Sequence, residues 1–173
     1  GYFAGNFANG EAVARLAIPE AAQANLATLV AAGSIDLGKS FFGAKRWPEA
    51  EAQYLKAIDL AQSRQAERLE MRARLQLASL HVQSNRPADA LPPALAAIDY
   101  FSKSGDNRLA AQAQFIAARA YEDLGQPEEA RRLTLEGLTF ADKSGDAGLT
   151  ATALDNLAGQ FNARGDLPRA LGY

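Results

Sequence analysis

Trp47-Pro48-Glu49-Ala50, Pro87-Ala88-Asp89-Ala90, Pro127-Glu128-Glu129-Ala130 and Leu167-Pro168-Arg169-Ala170 are four versions of one short segment. Their last alanines stand at 50, 90, 130 and 170, forty residues apart each time. One such column in an alanine-rich chain can arise by chance, so the test is whether other columns keep the interval. They do. Thirteen residues before each alanine come Leu37, Leu77, Ala117 and Leu157, followed by the small residues Gly38, Ala78, Ala118 and Ala158. Three residues further on stand Phe41, His81, Tyr121 and Phe161. Downstream come Ala57, Ala97 and Gly137, then Ile58, Ile98 and Leu138. The opening Gly5-Asn6-Phe7-Ala8-Asn9-Gly10, with Ala17 and Ile18 behind it, fits the same frame.

Each unit reads as two helices. Leu109 to Leu124 is apolar at helical spacing, and Gly125 stops it as a residue able to turn left-handed. Pro127 stands where a helix start tolerates proline, and the second helix is predicted from about 128 to 143. Gly105-Asp106 and Gly145-Asp146 join the units, glycine ending one helix and aspartate capping the next. No sustained alternation bounded by hairpin turns marks a strand, so the class is all-α. The units then fall at about 26–65, 66–105 and 106–145, with partial ones at 1–25 and 146–173. They form a single repeat domain, expected to be cut from a longer protein because the chain opens at Gly1 and stops at Tyr173 within a helical pattern. Pro92-Pro93 breaks the local rule, predicting a kink or a helix that starts only at Pro92; Pro19 shortens a helix of the first partial unit.

A single helical hairpin cannot cover its own apolar face, so stacked hairpins share one core. Small residues belong where backbones approach closely, and large ones fill the gaps beside them. The arrangement Leu37-Gly38-Lys39-Ser40-Phe41, with Ala50, Tyr54 and Ala57 behind, resembles the tetratricopeptide consensus over the whole chain. The forty-residue length is similar to the long repeats of Leu-Gly-Asn-type G-protein signalling modulators, MalT-like activators and bacterial signalling kinases. The resemblance implies a right-handed superhelix of antiparallel helix pairs, whose first helices line a concave groove that takes a protein or peptide partner. It also allows a regulatory or sensor region of a larger signalling protein.

The bulk chemistry narrows the alternatives. A net charge of -2 gives no electrostatic case for nucleic acid or an anionic membrane surface. No apolar run approaches a membrane span, and the expected location is the cytoplasm. Without cysteine there is no disulfide, thiolate nucleophile or thiolate metal site. No cofactor or metal is expected. The one chemical motif, Gly33-Ser34-Ile35-Asp36-Leu37-Gly38-Lys39-Ser40, satisfies the phosphate-loop pattern and would make a nucleotide-binding enzyme. Leu37, Gly38 and Phe41 each sit in a repeat column, however, which predicts a helix interior whose N–H groups are already used. His81, the only histidine, takes the aromatic column of its unit and is expected to be packed. No catalytic residue is assigned.

Carrying over the family's groove positions gives Ile35, Lys39 and Phe42 in the first full unit, and Arg72, Leu75, Ser79 and Gln83 in the second. The third contributes Gln112, Phe115, Arg119 and Glu122, and the last Asp155 and Asn162. The Lys and Asn of the chaperone-binding carboxylate clamp are replaced by the Ile35/Leu75/Phe115 and Lys39/Ser79/Arg119 columns, and the Asn of the Leu-Gly-Asn members is missing from the latter. What remains is an apolar row beside basic groups, suited to a peptide or helix with an apolar anchor and an acidic flank, unless that row packs into the core instead. End-to-end stacking of copies through an uncapped repeat face is a further expectation.

Overall fold

The computed structural model describes Gly10, Arg15, residues 27–163, residues 165–170 and Gly172. The partial unit at 1–25, with the Pro19 expectation, lies almost wholly outside them. The contacts divide the chain after Ser84 into two compact units. The first holds α1 (Ala27–Gly43), α2 (Trp47–Ser63) and α3 (Glu67–Gln83). The second holds α4 (Pro87–Ser104), α5 (Asn107–Asp123), α6 (Pro127–Ser144), α7 (Ala147–Ala163) and the short α8 (Leu167–Ala170). There is no strand among the described residues. In the first unit α2 packs on both α1 and α3, and α1 also touches α3. In the second, each helix packs on the next, and α5 also touches α7.

The helix starts, at 27, 47, 67, 87, 107, 127, 147 and 167, keep an interval half that of the sequence repeat. The turns explain why. Lys45, Gln65, Asn85, Gly105, Gly125, Gly145 and Gly165 all have positive φ and recur at the same interval. Each lets the chain reverse through a left-handed residue just past a helix end. The amide of the next residue then reaches back five residues: Arg46 N–H donates to the Phe41 carbonyl (2.9 Å), Ala66 to Ala61 (2.9 Å) and Gln126 to Tyr121 (2.8 Å). The glycine turns were legible in sequence; those at Lys45, Gln65 and Asn85 were not, because their residues hide the left-handed conformation.

Capping follows expectation. The Asp106 carboxylate accepts from Leu109 N–H (3.2 Å), and Asp146 Oδ1 accepts from Gly148 (3.0 Å) and Leu149 (3.2 Å). The small and large columns are the core. Leu37, Leu77, Ala117 and Leu157 are buried, as are Ala50, Ala90 and Ala130. Phe41, His81 and Phe161 are buried in the aromatic column.

The helix does not begin at Pro92. It is continuous from Pro87 to Ser104 with Pro92 and Pro93 inside it. Each proline removes one ladder hydrogen bond, to the carbonyls of Ala88 and Asp89. Both of those residues are exposed, so water can reach the carbonyls released.

Candidate partner-binding faces

The groove positions taken from sequence fall into two groups. Ile35 and Leu75 are each 1% exposed and Phe115 is 8% exposed. Ile35 belongs to one core with Leu37, Phe41, Tyr54 and Leu77, and Phe115 to another with Ala111, Ala141 and Ala153. A Cβ added at Gly137 would stand 2.4 Å from Phe115 Cε1, so the ring fills the space that this glycine leaves on α6. The apolar row is therefore core, and these three side chains present almost no surface to a partner. The physical reason is that stacked hairpins need large side chains at this position to close the space between first helices.

The remaining positions stay at the surface. In the first unit Lys39, Phe42, Arg72 and Ser79 are half-buried and Gln83 is exposed. Lys39 Nζ donates to Asp36 Oδ1 at 3.4 Å, one turn back on α1. Phe42 rests one side of its ring on the core cluster. Arg72 has no hydrogen bond or ion pair with a side chain among the described residues. A guanidinium held at the surface without an acid keeps its full capacity for a carboxylate.

In the second unit Gln112 is half-buried, while Arg119, Asp155 and Asn162 are exposed. Arg119 Nε donates to Asp123 Oδ1 at 3.0 Å. Glu122 is half-buried and accepts from Gln160 Nε2 at 2.6 Å, and the same amide donates to Thr134 Oγ1 at 3.0 Å. Arg119 and Glu122 are thus already engaged within the unit.

Sequence reading missed the polar links between hairpins. His81 Nε2 lies 3.2 Å from Glu51 Oε1, and the Arg131 guanidinium lies 5.7 Å from the Phe161 ring centre. Both pairs join the same two repeat positions, thirty residues apart, and that interval was the available signal. Gln114 Nε2 donates to Glu136 Oε2 at 3.2 Å inside the second unit. Arg132 is held between Glu129 and Glu136, bonds that raise its already high pKa.

The phosphate-loop segment is a helix interior. Residues 33–40 lie within α1, with Ser34, Leu37, Gly38 and Ser40 buried. Ser40 Oγ donates to the Asp36 carbonyl at 3.1 Å, a bond within its own helix. No group of metal-ligating side chains occurs among the described residues, and no helix among them is long and apolar enough to cross a membrane.

Neither a family model nor a curated protein sequence matches the chain. Solved structures do. The crystal structure of BtubC (BKLC) from P. vanneervenii superposes with a TM-score of 0.85 at 16% identity, over 97% of this chain and 70% of that one. The apo form of RapI gives 0.81 at 14% identity, over 96% of this chain and 46% of that one. Kinesin light chain TPR-like repeats from Podosopora anserina give 0.68 at 14% identity, over 98% of this chain and 92% of that one. At such identities the likeness carries the fold, an all-helical tetratricopeptide-like repeat.

Proposed function

We propose that the chain is a non-catalytic scaffold that binds a segment of a protein partner along the surface of its first helices. The observation that carries this reading is on α1 and α3. There Lys39, Phe42, Arg72, Ser79 and Gln83 leave a half-buried ring, two basic groups and two neutral hydrogen-bonding ones spread along the two helices. Arg72 in particular has no ion-pair partner among the described residues. Such a surface suits a peptide or helix that brings an apolar side chain to Phe42 and a carboxylate to Arg72. With the Ile35, Leu75 and Phe115 row committed to packing, apolar anchoring falls to Phe42 alone. In the second unit, taken by itself, Gln112, Arg119, Glu122, Asp155 and Asn162 are the corresponding first-helix positions.

The forty-residue interval between successive first helices supports placing the chain with the long tetratricopeptide repeats. The resemblance to long-repeat signalling proteins is our ground for reading the chain as a regulatory or sensor region in a larger signalling protein. Hydrogen–deuterium exchange tests the assignment. Peptides selected from a random library on the chain should slow exchange on α1 and α3; protection confined to second helices would overturn it.

A further inference from the structure

The second helices carry a leucine at the same position in each unit: Leu55, Leu95 and Leu135, all exposed. On α2 the neighbours of Leu55 include the exposed Lys56 and Asp59, and on α6 those of Leu135 include the exposed Arg132 and Thr139. On α4 the counterpart of Asp59 is the exposed Asp99, paired with Lys103 at 2.7 Å, but toward the helix N-terminus the face is apolar. Ala88, Pro92 and Leu95 are exposed there, and Leu91 and Ala96 are half-buried, one turn apart along the same side of the helix. Leu95 is 42% exposed. Pro93, Ala94 and Ala97 are buried on the opposite side, so this apolar face is not what holds α4 in the fold.

Hydrogen-bonding capacity on the same face is one-sided. Pro92 has no N–H, so on this face the carbonyl of Ala88 lacks the donor that a helix would give it. The Asp89 carboxylate is exposed and has no ion-pair partner among the described residues. From Pro87 to Pro93 no side chain offers a donor. The patch thus combines apolar surface with acceptors, one of them charged.

We propose that the outer face of α4 docks a basic amphipathic segment of a partner protein, one with an arginine or lysine beside an apolar side chain. The cation satisfies the Asp89 carboxylate and the released Ala88 carbonyl, and the apolar side chain covers Leu91, Pro92 and Leu95. An acidic segment would bring acceptor to acceptor and pay desolvation without a bond. This site lies on a second helix and is independent of the first-helix surfaces.

The test uses two fluorescein-labelled helical peptides with leucines four residues apart, one carrying arginines and the other glutamates at the same flanking positions. At low ionic strength the arginine peptide is expected to bind about tenfold more tightly or better. Leu95→Ser and Asp89→Asn should each weaken it about fivefold, with circular dichroism unchanged. Pro92→Ala is the decisive variant, because it returns an N–H to the Ala88 carbonyl. It should raise Tm while weakening the peptide, effects of opposite sign that a purely structural role for Pro92 would not produce. Equal binding of both peptides would overturn the proposal, as would unchanged affinity in folded Leu95→Ser and Pro92→Ala. Self-association abolished by Leu95→Ser, with no peptide binding, would also overturn it by assigning the face to a second copy.

Discussion

Gly38 on α1 lies against the ring of Tyr54 on α2: a Cβ added to the glycine would stand 2.5 Å from Tyr54 Cε1 and 2.7 Å from Cδ1. The ring is 1% exposed and cannot swing out without opening the core. Gly38→Ala should therefore destabilise the chain by about 1–3 kcal/mol, the usual cost of overpacking, despite alanine's better helix propensity. Gly159 on α7 is the control, since a Cβ there would meet nothing within 4 Å. Gly159→Ala should stabilise by about 0.5–1 kcal/mol. Urea unfolding of the two variants reads both signs, and a shared sign would remove the steric account of Gly38.

The left-handed turn residues give a second paired test. Lys45 and Gln65 hold φ of 59° and 53°, where a side chain is strained. Lys45→Gly and Gln65→Gly should each stabilise by about 1 kcal/mol. Asn85→Gly should gain less, because asparagine tolerates this region. Gly125→Ala should lose about 1 kcal/mol although a Cβ there has free space, since the cost lies in the backbone. Thermal melts of the four variants check the order.

Phe115 distinguishes core from groove. Phe115→Ala should cost about 3–5 kcal/mol, the range for deleting a buried aromatic ring. Gln112→Ala and Arg119→Ala, at the surface of the same helix, should stay within about 0.5 kcal/mol of the parent. A small loss at Phe115 in chemical denaturation would return that ring to the candidate contact surface.

Burial raises the Tyr54 phenol above its ordinary value of 10.0, and the Asp36 carboxylate adds to the rise. The unfolded phenol titrates near 10 while the folded one keeps its proton. The folded state thus binds more protons above that pH, and stability falls as pH rises. Tyr54 contributes fully below pH about 10 and loses up to about 1.4 kcal/mol per pH unit above it. Tyr54→Phe should flatten the alkaline limb of the stability curve. A limb of unchanged slope would show that Tyr54 does not govern it.

Much of the fold was legible because architecture repeats. The Leu37, Gly38 and Ala50 columns recur, and their members are buried except for the half-buried Ala158 and Ala170 of the last unit. Asp106 and Asp146 were legible as caps because aspartate after glycine has few other roles. Lys45, Gln65 and Asn85 escaped because ordinary residues occupy strained turns, paid for by packing on either side. Of the two outcomes Pro92-Pro93 allowed, a helix starting only at Pro92 is excluded, since the helix runs from Pro87 through both prolines. The surface was legible only in part. Ile35, Leu75 and Phe115 occupy groove positions of the resembled family, yet the space between hairpins decides whether such a side chain points inward. Lys39 and Arg119 have acids one turn away at Asp36 and Asp123, while Arg72 has none at that spacing, a difference already legible in the sequence.

The most direct measurement is the affinity of an apolar, acidic peptide, selected on the parent chain, for Arg72→Glu and Lys39→Glu variants. Both positions are at the surface, so the fold should persist by circular dichroism. The account predicts that Arg72→Glu weakens the peptide about tenfold or more and Lys39→Glu somewhat less, because Asp36 already engages that lysine. Unchanged affinity in both folded variants would contradict the claim that the first helices of this chain bind its partner.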